Sequence, residues 1–529
     1  MASRSRVTTL EAMHAPWRGA EVQPPARGLY LEPTPRQGVE GLPEGLDPRL
    51  AARAVAAASW VRAQRDAGRT VTVVHHIDAD GVSAGAVAAT ALERAQAPFV
   101  LLPVKSLDDH HLAILRAAAP QALWFCDLGS TAYMHFPATP RLVCDHHQLV
   151  RDGSEESFAH LNPLLDGLDG HEVSGAGCAY LAAAALDARN TDLLPLALVG
   201  ATADRQDRPA LHGTNALLLR HAEKLGLASA ALDIAFFGPQ TRPLRKFLSL
   251  ANEPTLPGIT GDPRAAERLC LRLGIPLEQE GAERTWGMLE PHERLALRSA
   301  LANHLLDLGL AADVERLARP VVTLTNEPAG PTRELQEFGT FLNGTARYDR
   351  PDVGIAVARG DRGAAYAEAL DLLLDHRKHL AGALDAFARS GVQERPSLQW
   401  VHLRGAVRDT VVGIVAGMAL GGALELRKDR PLVAFAWTPD GRTKVSSRAP
   451  NEVRGRIDLS VVMREAAAAV GGQGGGHPGA AGATIPRGAE DAFLAAAERV
   501  LEAQLGIVAA PAPAWAPKKS GQTRLLPFA

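Results

Sequence analysis

Three short runs rich in apolar residues, Thr70-Val-Thr-Val-Val-His-His-Ile77, Ala122-Leu-Trp-Phe-Cys126 and Arg141-Leu-Val-Cys144, each give way to carboxylates, two of them with imidazoles alongside. Runs of this length, apolar at successive positions, fit strands buried on both faces. Helical patterns stand around them, from Arg49 to Gln64 and, Ala-rich, from about Val82 to Arg94. The alternation predicts an α/β architecture, a parallel sheet with helices on both faces, whose ligands gather outside the carboxyl ends of the strands.

At 529 residues the chain exceeds one ordinary core, and units of about 100–200 residues imply two or three domains. Residues 1–48, with seven scattered prolines from Pro16 to Pro48 and little periodicity, form an expected N-terminal extension. Residues 49–213 hold the first sheet domain. Residues 214–317 are dominated by helical periodicity, as in Asn215-Ala-Leu-Leu-Leu-Arg220 and Arg294-Leu-Ala-Leu-Arg-Ser-Ala-Leu301, and form an expected helical connector. From 318 to 508 an α/β pattern resumes: Val353-Gly-Ile-Ala-Val357, a long helix through about 390, Leu398-Gln-Trp-Val-His-Leu403, a helix from Val411 to Leu424, and Leu432-Val-Ala-Phe-Ala-Trp437. A Pro/Ala-rich tail, 509–529, is expected to be flexible.

Composition narrows the partners. Apolar residues make up 46% and charged ones 22%, which excludes wholesale disorder. A net charge of −3 excludes a globally basic nucleic-acid coat but leaves room for a local basic groove. No uninterrupted apolar run is long enough for a bilayer, so no membrane partner is expected. Cys126, Cys144, Cys178 and Cys270 form no Cys-x-x-Cys pair, and the N-terminus carries no signal-peptide pattern. The expected compartment is the reducing cytoplasm.

The chemistry lies in the clusters. The first run leads to His76-Ile-Asp78-Ala-Asp80-Gly81, the second to Asp127-Leu-Gly129-Ser130, the third to Asp145-His146-His147, and Asp204-Arg-Gln-Asp207 closes a helical run. A lone Asp at a strand end is ordinarily a turn former or helix cap, and a lone His a satisfied core or surface group. Clusters delivered together to one edge are harder to explain by capping. Carboxylate oxygens mixed with imidazole suit Mn²⁺ or another octahedral divalent ion, and these ligands outnumber the needs of one ion. Two ions about 3.5–4 Å apart, bridged by a carboxylate, form the usual clamp for phosphoester hydrolysis, one generating hydroxide and both neutralising developing phosphoryl charge. Near the C-terminus, Gly471-Gly-Gln-Gly-Gly-Gly-His477 offers bare backbone N–H groups to an anion, making Gly474, Gly475, Gly476 and His477 a candidate phosphate cradle in a Gly-rich loop.

His76-Ile-Asp78-Ala-Asp80-Gly81, Asp127 and above all Asp145-His146-His147 resemble the motifs of the DHH phosphoesterase superfamily, named for that triplet. Val173-Ser-Gly-Ala-Gly177 is similar to the family's small-residue helix start, and Val199-Gly-Ala-Thr-Ala-Asp204-Arg-Gln-Asp207 to its fourth motif. Gly471 to Gly482 is similar to the Gly-Gly-Gly-His signature of the associated DHHA1 substrate-binding domain. The resemblance spans about 50–500. Glu337-Phe-Gly-Thr-Phe-Leu-Asn343-Gly-Thr-Ala-Arg347, followed by Val353-Gly-Ile-Ala, looks most like archaeal RecJ-type nucleases, which are related to a eukaryotic helicase-associated replication factor. It implies a parallel-sheet DHH catalytic domain, a helical connector and a smaller α/β DHHA1 domain forming a cleft.

By that resemblance His76 and Asp78 would hold one ion, Asp80, His146 and Asp204 the other, and Asp127 would bridge them. The adjacent His75 leaves open which of the two histidines is the ligand. Asp145 would orient the histidines, and His147 would contact the scissile phosphate or the leaving oxygen. Thr443-Lys-Val-Ser446-Ser-Arg448, on an expected strand, resembles the family's Ser/Arg segment, with Arg448 holding substrate phosphate. The implied activity is a metal-dependent phosphodiesterase, a single-strand-specific exonuclease working 5′ to 3′ on DNA in repair or replication. Its cofactors would be two divalent ions, manganese first and magnesium second, and its partner single-stranded nucleic acid. The alternatives are an oligoribonucleotide or cyclic-dinucleotide phosphodiesterase, and a catalytically silent replication scaffold, against which the complete ligand set speaks. The tail residues Gln522, Leu525 and Phe528 resemble a sliding-clamp-binding peptide.

Overall fold

The computed structural model describes residues 40–150, 157–251 and 253–506, which divide into two compact units between Leu373 and Leu374. Most of the N-terminal extension, and the tail with Gln522, Leu525 and Phe528, lie outside the described residues.

The first unit begins with α1 (Pro48–Asp66), β1 (Val71–His76), α2 (Ala79–Arg94), β2 (Phe99–Val104), α3 (Asp109–Ala117), β3 (Ala122–Cys126), β4 (Arg141–Cys144) and β5 (Ala159–Leu161). The strands form one sheet in the order β2-β1-β3-β4-β5, parallel throughout. β5 and β2 are additional to the three expected strands. Pro103 of β2 argues against a strand in the sequence, but an edge position tolerates the missing N–H. On one face Val71, Val73, Trp124 and Leu142 pack against α1, α2, α4 (Gly175–Leu186) and α5 (Leu194–Ala203). On the other, Val74, Leu123, Phe125 and Val143 pack with Leu112 and Leu115 of α3 and with Tyr133 and Phe136. α2 is buried from Ala79 to Leu92, between β1, α4 and α5. Its alanines and glycines permit this, since a helix apolar all round belongs in the interior and small side chains let neighbours approach.

α6 (Gly213–Lys224) leads to β6 (Ala228–Ile234), which pairs antiparallel with β9 (Ala318–Leu324). Between those two strands lie α7 (Leu244–Ser249), α8 (Pro263–Arg272), the two-residue strands β7 (Glu278–Gln279) and β8 (Ala282–Glu283), α9 (Pro291–Asp307) and α10 (Ala311–Arg316). They enclose a separate core around Phe247, Trp286, Leu297 and Leu301, so the expected connector is a small folded body. α11 (Leu335–Arg347) packs on α5, and α12 (Pro351–Ala358) on α2. Residues 318–373, expected in the second sheet domain, therefore belong to the first unit. Val353-Gly-Ile-Ala-Val357 is helical, a buried apolar run of the kind that periodicity cannot assign.

The chain enters the second unit within α13 (Ala364–Ser390) and continues through β10 (Gln393–Glu394), β11 (Gln399–His402), α14 (Val412–Met418), β12 (Leu432–Trp437), β13 (Arg442–Arg448), α15 (Leu459–Ala468), β14 (Gln473–His477), β15 (Ala480–Pro486) and α16 (Glu490–Leu505). These strands form a mixed sheet in the order β10-β11-β12-β13-β15-β14. α15 and α16 cover one face around Phe435, Val445, Met463 and Phe493, and α14 covers the other with Phe387, Val415 and Ala434. The Gly-rich segment expected as a loop is the edge strand β14. A side-chain carbon at Gly474 would lie 2.3 Å from the Met463 carbonyl oxygen, so glycine is what lets this strand pass beneath α15. No described helix is long and apolar enough to cross a membrane.

Candidate metal centre

In the first sheet His75 pairs with Cys126, and Cys126 with Cys144, so β1, β3 and β4 end at one level. The next residue of each strand is His76, Asp127 or Asp145. Strand order reverses between β1 and β3, the crevice where open α/β sheets bind ligands.

Asp127 is the common member of the cluster. It stands at φ 60°, a left-handed conformation that a branched residue avoids but Asp tolerates, and this turns its carboxylate into the crevice. Asp127 Oδ2 lies 3.4 Å from His76 Nδ1, which is also 2.9 Å from Asp78 Oδ2. Asp127 Oδ1 lies 3.4 Å from His146 Nε2, which stands 3.2 Å from Asp204 Oδ2 and 3.8 Å from Asp80 Oδ2. The ligand-type atoms form overlapping groups: His76, Asp78 and Asp127; Asp80, Asp127, His146 and Asp204; and Asp127, His146 and His147.

Each carboxylate is placed by its own local rule. Asp78 caps α2, accepting from the Gly81 N–H at 3.0 Å. Asp80, fully buried, accepts from the Gly175 N–H (2.7 Å) and the Ala176 N–H (2.9 Å) at the start of α4, where a helix N-terminus favours negative charge. Asp204 closes α5. Asp145 accepts from the Ser130 N–H (3.0 Å) and the His146 N–H (2.8 Å), and its Oδ1 is 2.8 Å from His147 Nδ1. His147 is exposed, so its ring faces solvent from a fixed mount.

His146 Nδ1 lies 2.8 Å from the Gly170 carbonyl oxygen, which only accepts. Nδ1 therefore carries a proton, and Nε2 is turned toward the three carboxylates, the orientation a metal-binding imidazole needs. Gln206 Nε2 donates to the same carbonyl at 3.2 Å, and Asn215 Nδ2 fixes Gln206 through its Oε1 at 2.6 Å. The sequence reading missed Gly170, Gln206 and Asn215. Gln206 stood in plain view beside Asp204, but a backbone carbonyl leaves no sequence signal. Asp207 faces away from the cluster, toward Arg319 (2.7 Å) and Gln336 (3.0 Å). His75 is buried, donates from Nδ1 to the His76 carbonyl (2.8 Å) and packs against Gly85; His76 is the one in the cluster.

The crowding of these carboxylates sets the charge balance of the cluster. Burial, then Asp127 and Asp204, push the Asp80 carboxyl well above the ordinary range, and burial also raises Asp204. Burial disfavours charge on His76 and His146, yet the surrounding carboxylates hold both well above the ordinary imidazole range. Burial would raise Asp127 as well, but His146 and His76 keep it far below. The shifts of Asp80, Asp204, His76 and His146 all favour the protonated form, as expected where several buried carboxylates crowd one crevice. The buried Asp127 Oδ1 and His146 Nε2 make no well-formed hydrogen bond. Carboxylate oxygens and imidazole nitrogens converging in this way fit divalent cations, which would displace the protons.

In the second unit Arg448 ends β13, half-buried, its Nη1 donating to the Ser447 carbonyl at 2.9 Å. His477 is exposed at the end of β14. The three glycines before it do not share one task. Gly474 and Gly476 are required by packing, the latter with φ 134° and a notional side-chain carbon 2.7 Å from Ala481 Cα, whereas nothing lies within 4 Å of one at Gly475.

The DHH-CID domain model matches residues 236–318 and the DHHA1 domain model residues 399–503. An uncharacterized protein of Methanocaldococcus jannaschii is 25% identical over 454 residues, 82% of this chain and 94% of its own. Among solved structures, RecJ of Thermus thermophilus in complex with Mn²⁺ superposes over 88% of this chain with TM-score 0.53 and 18% identity; the match spans 56% of the RecJ chain. CDC45 of Entamoeba histolytica superposes over 85% of this chain and 99% of its own, with TM-score 0.59 and 10% identity.

Proposed function

Because the chain is a RecJ-like member of the DHH/DHHA1 superfamily, we propose that it is a divalent-metal-dependent phosphodiesterase that removes nucleotides from the end of single-stranded nucleic acid, DNA first, in the 5′ to 3′ direction. One observation carries this: Asp127 belongs to every ligand group, and its Oδ1 faces His146 Nε2 with neither atom making a well-formed hydrogen bond. His76 and Asp78 would hold one ion, Asp80, His146 and Asp204 a second, and Asp127 both. Bound there, the ions would supply Lewis-acid activation of water and neutralise phosphoryl charge.

The chain's own groups do the rest. The α4 N-terminus holds Asp80 in place, and the Gly170 carbonyl keeps the His146 proton on Nδ1. Contact with Asp145 raises the His147 imidazole above its ordinary pKa, and its Nε2, when protonated, would donate to a phosphate or leaving oxygen at the rim. Arg448 and His477 provide groups for the substrate backbone.

End-labelled single-stranded DNA and RNA, labelled at one end or the other and incubated with Mn²⁺ or Mg²⁺, test the proposal. Metal-dependent mononucleotide release, lost in Asp127→Ala and Asp145→Ala, is expected. No release from either polymer, with rapid cleavage of dinucleotides, would replace it with a short-substrate phosphodiesterase. No metal-dependent cleavage of any of them would leave a scaffold.

A further inference from the structure

In the second unit three strands run in register: Lys444 opposite Thr484 opposite Gln473, Ser446 opposite Gly482 opposite Gly475, Arg448 opposite Ala480 opposite His477. Directly opposed residues share a face of the sheet. Val445, Ala481 and Ala483, one step out of phase, belong to the core under α15 and α16. Lys444, Ser446, Arg448, Gly475 and Gly482 therefore occupy the opposite face.

Three donors converge on the middle row. A side-chain carbon at Gly413, in α14, would fall 2.7 Å from Arg448 Nη2 and 3.0 Å from Ser446 Oγ, so those two groups flank one point. A carbon at Gly482, next to Ser446, would fall 3.9 Å from Lys444 Nζ and 3.1 Å from the Val445 carbonyl oxygen. Lys444 thus lies back over the glycine floor instead of reaching into solvent, and the space above Gly475 is open. Both cations are half-buried, and no described carboxylate pairs with either; Asp409 acts on Lys444 from longer range. Burial holds both below their ordinary pKa. Two desolvated cations without a counter-charge, above a floor kept clear of side chains, form a site for an anion.

We propose that Lys444 is a further substrate-binding residue, closing with Ser446 and Arg448 on one backbone phosphate of a single-stranded nucleic acid laid over Gly482 and Gly475. This rests on the phosphodiesterase reading above. The contacts are to phosphate alone, so the grip is independent of base sequence.

The full chain, in metal-free buffer, is titrated against a fluorescent single-stranded oligonucleotide at several salt concentrations, and against a dinucleotide. Each phosphate contact on a single strand contributes a slope of about −0.7 to log K against log salt. Lys444→Gln should weaken oligonucleotide binding about tenfold and lower the slope magnitude by about 0.7, with the melting temperature kept. Lys444→Arg should restore the slope, and Arg464→Gln, at an exposed position of α15, should leave it unchanged. Strong oligonucleotide binding by every variant with one common slope would overturn the role of Lys444 and leave the nuclease proposal standing. Lys444-dependent binding of the dinucleotide without the oligonucleotide would support the clamp and overturn the polymer substrate. No binding of either probe by the wild type would overturn both.

Discussion

Gly200 offers the sharpest test of how the metal centre is held. It lies in α5, and a side-chain carbon there would fall 2.0 Å from Asp80 Oδ1 and 2.7 Å from Ala176 Cβ. Neither neighbour is a loose chain end: Asp80 is pinned by two N–H groups of α4, and Ala176 belongs to that helix. In Gly200→Ala one of them must move. Overpacking costs about 1–3 kcal/mol, and leaving a buried N–H of α4 or an oxygen of Asp80 without its hydrogen bond adds about 1–3 kcal/mol. The expected destabilisation is roughly 3–5 kcal/mol, with Mn²⁺ affinity reduced about 10–100-fold because a ligand has lost its support. Urea unfolding, with and without Mn²⁺, and calorimetric titration measure both. The control is Gly344→Ala in α11, where nothing lies within 4 Å of the added carbon, and alanine should be neutral or stabilise by up to about 1 kcal/mol. A Gly200→Ala protein within about 0.5 kcal/mol of wild type and unchanged in metal affinity would refute this account of Asp80.

Mn²⁺ should raise the melting temperature of the wild type, by the equivalent of about 2.7 kcal/mol at a hundredfold excess over Kd, and should leave that of Asp127→Ala unmoved; scanning calorimetry with and without chelator decides. Burial pushes the carboxyl of Glu334, the cap of α11, up to about 7, against hydrogen bonds from the Gln336 and Glu337 N–H groups. The folded chain holds that proton more tightly than the unfolded chain, whose value is near 4.5, so this contribution is complete below that pH and is lost as pH rises through about 7. The loss should be roughly 3 kcal/mol, and Glu334→Gln should flatten the decline in urea unfolding between pH 5 and 8. In the helical body, Arg284 and Glu293 form a buried two-point ion pair at 2.8 and 2.5 Å; Glu293→Ala leaves the guanidinium unpaired and should cost about 3–5 kcal/mol, read as an early unfolding step by hydrogen exchange over α8 and α9.

The clusters were legible because apolar strands ending in Asp and His leave a pattern that capping does not, and a parallel sheet then brings the ends together. His76, Asp78, Asp80, Asp127, His146 and Asp204 meet in the structure as their positions at strand and helix ends suggested. What stayed hidden depends on contacts across the chain. Val353 to Val357 folds as a helix because its partner is α2, almost 270 positions earlier, and an apolar run carries no mark of that neighbour. The glycines of β14 look alike in sequence, yet two serve packing and one leaves open space, a difference set by α15 and the pairing with β15. The separate core running from Ile234 to Leu317 was hidden by helical periodicity, which reports faces and not whom they meet.

The common level at which β1, β3 and β4 stop has a consequence for how such a chain can vary in length. Adding or deleting one residue inside any of these strands shifts a ligand by about 3.3 Å and flips the following side chain to the other side, which would dismantle the centre whatever residues were present. Length changes away from the strand ends and the ligand clusters that follow them carry no such cost, so viable insertions should concentrate in the body between β6 and β9. A scan of single-residue insertions scored for Mn²⁺ uptake would trace that boundary along the sequence.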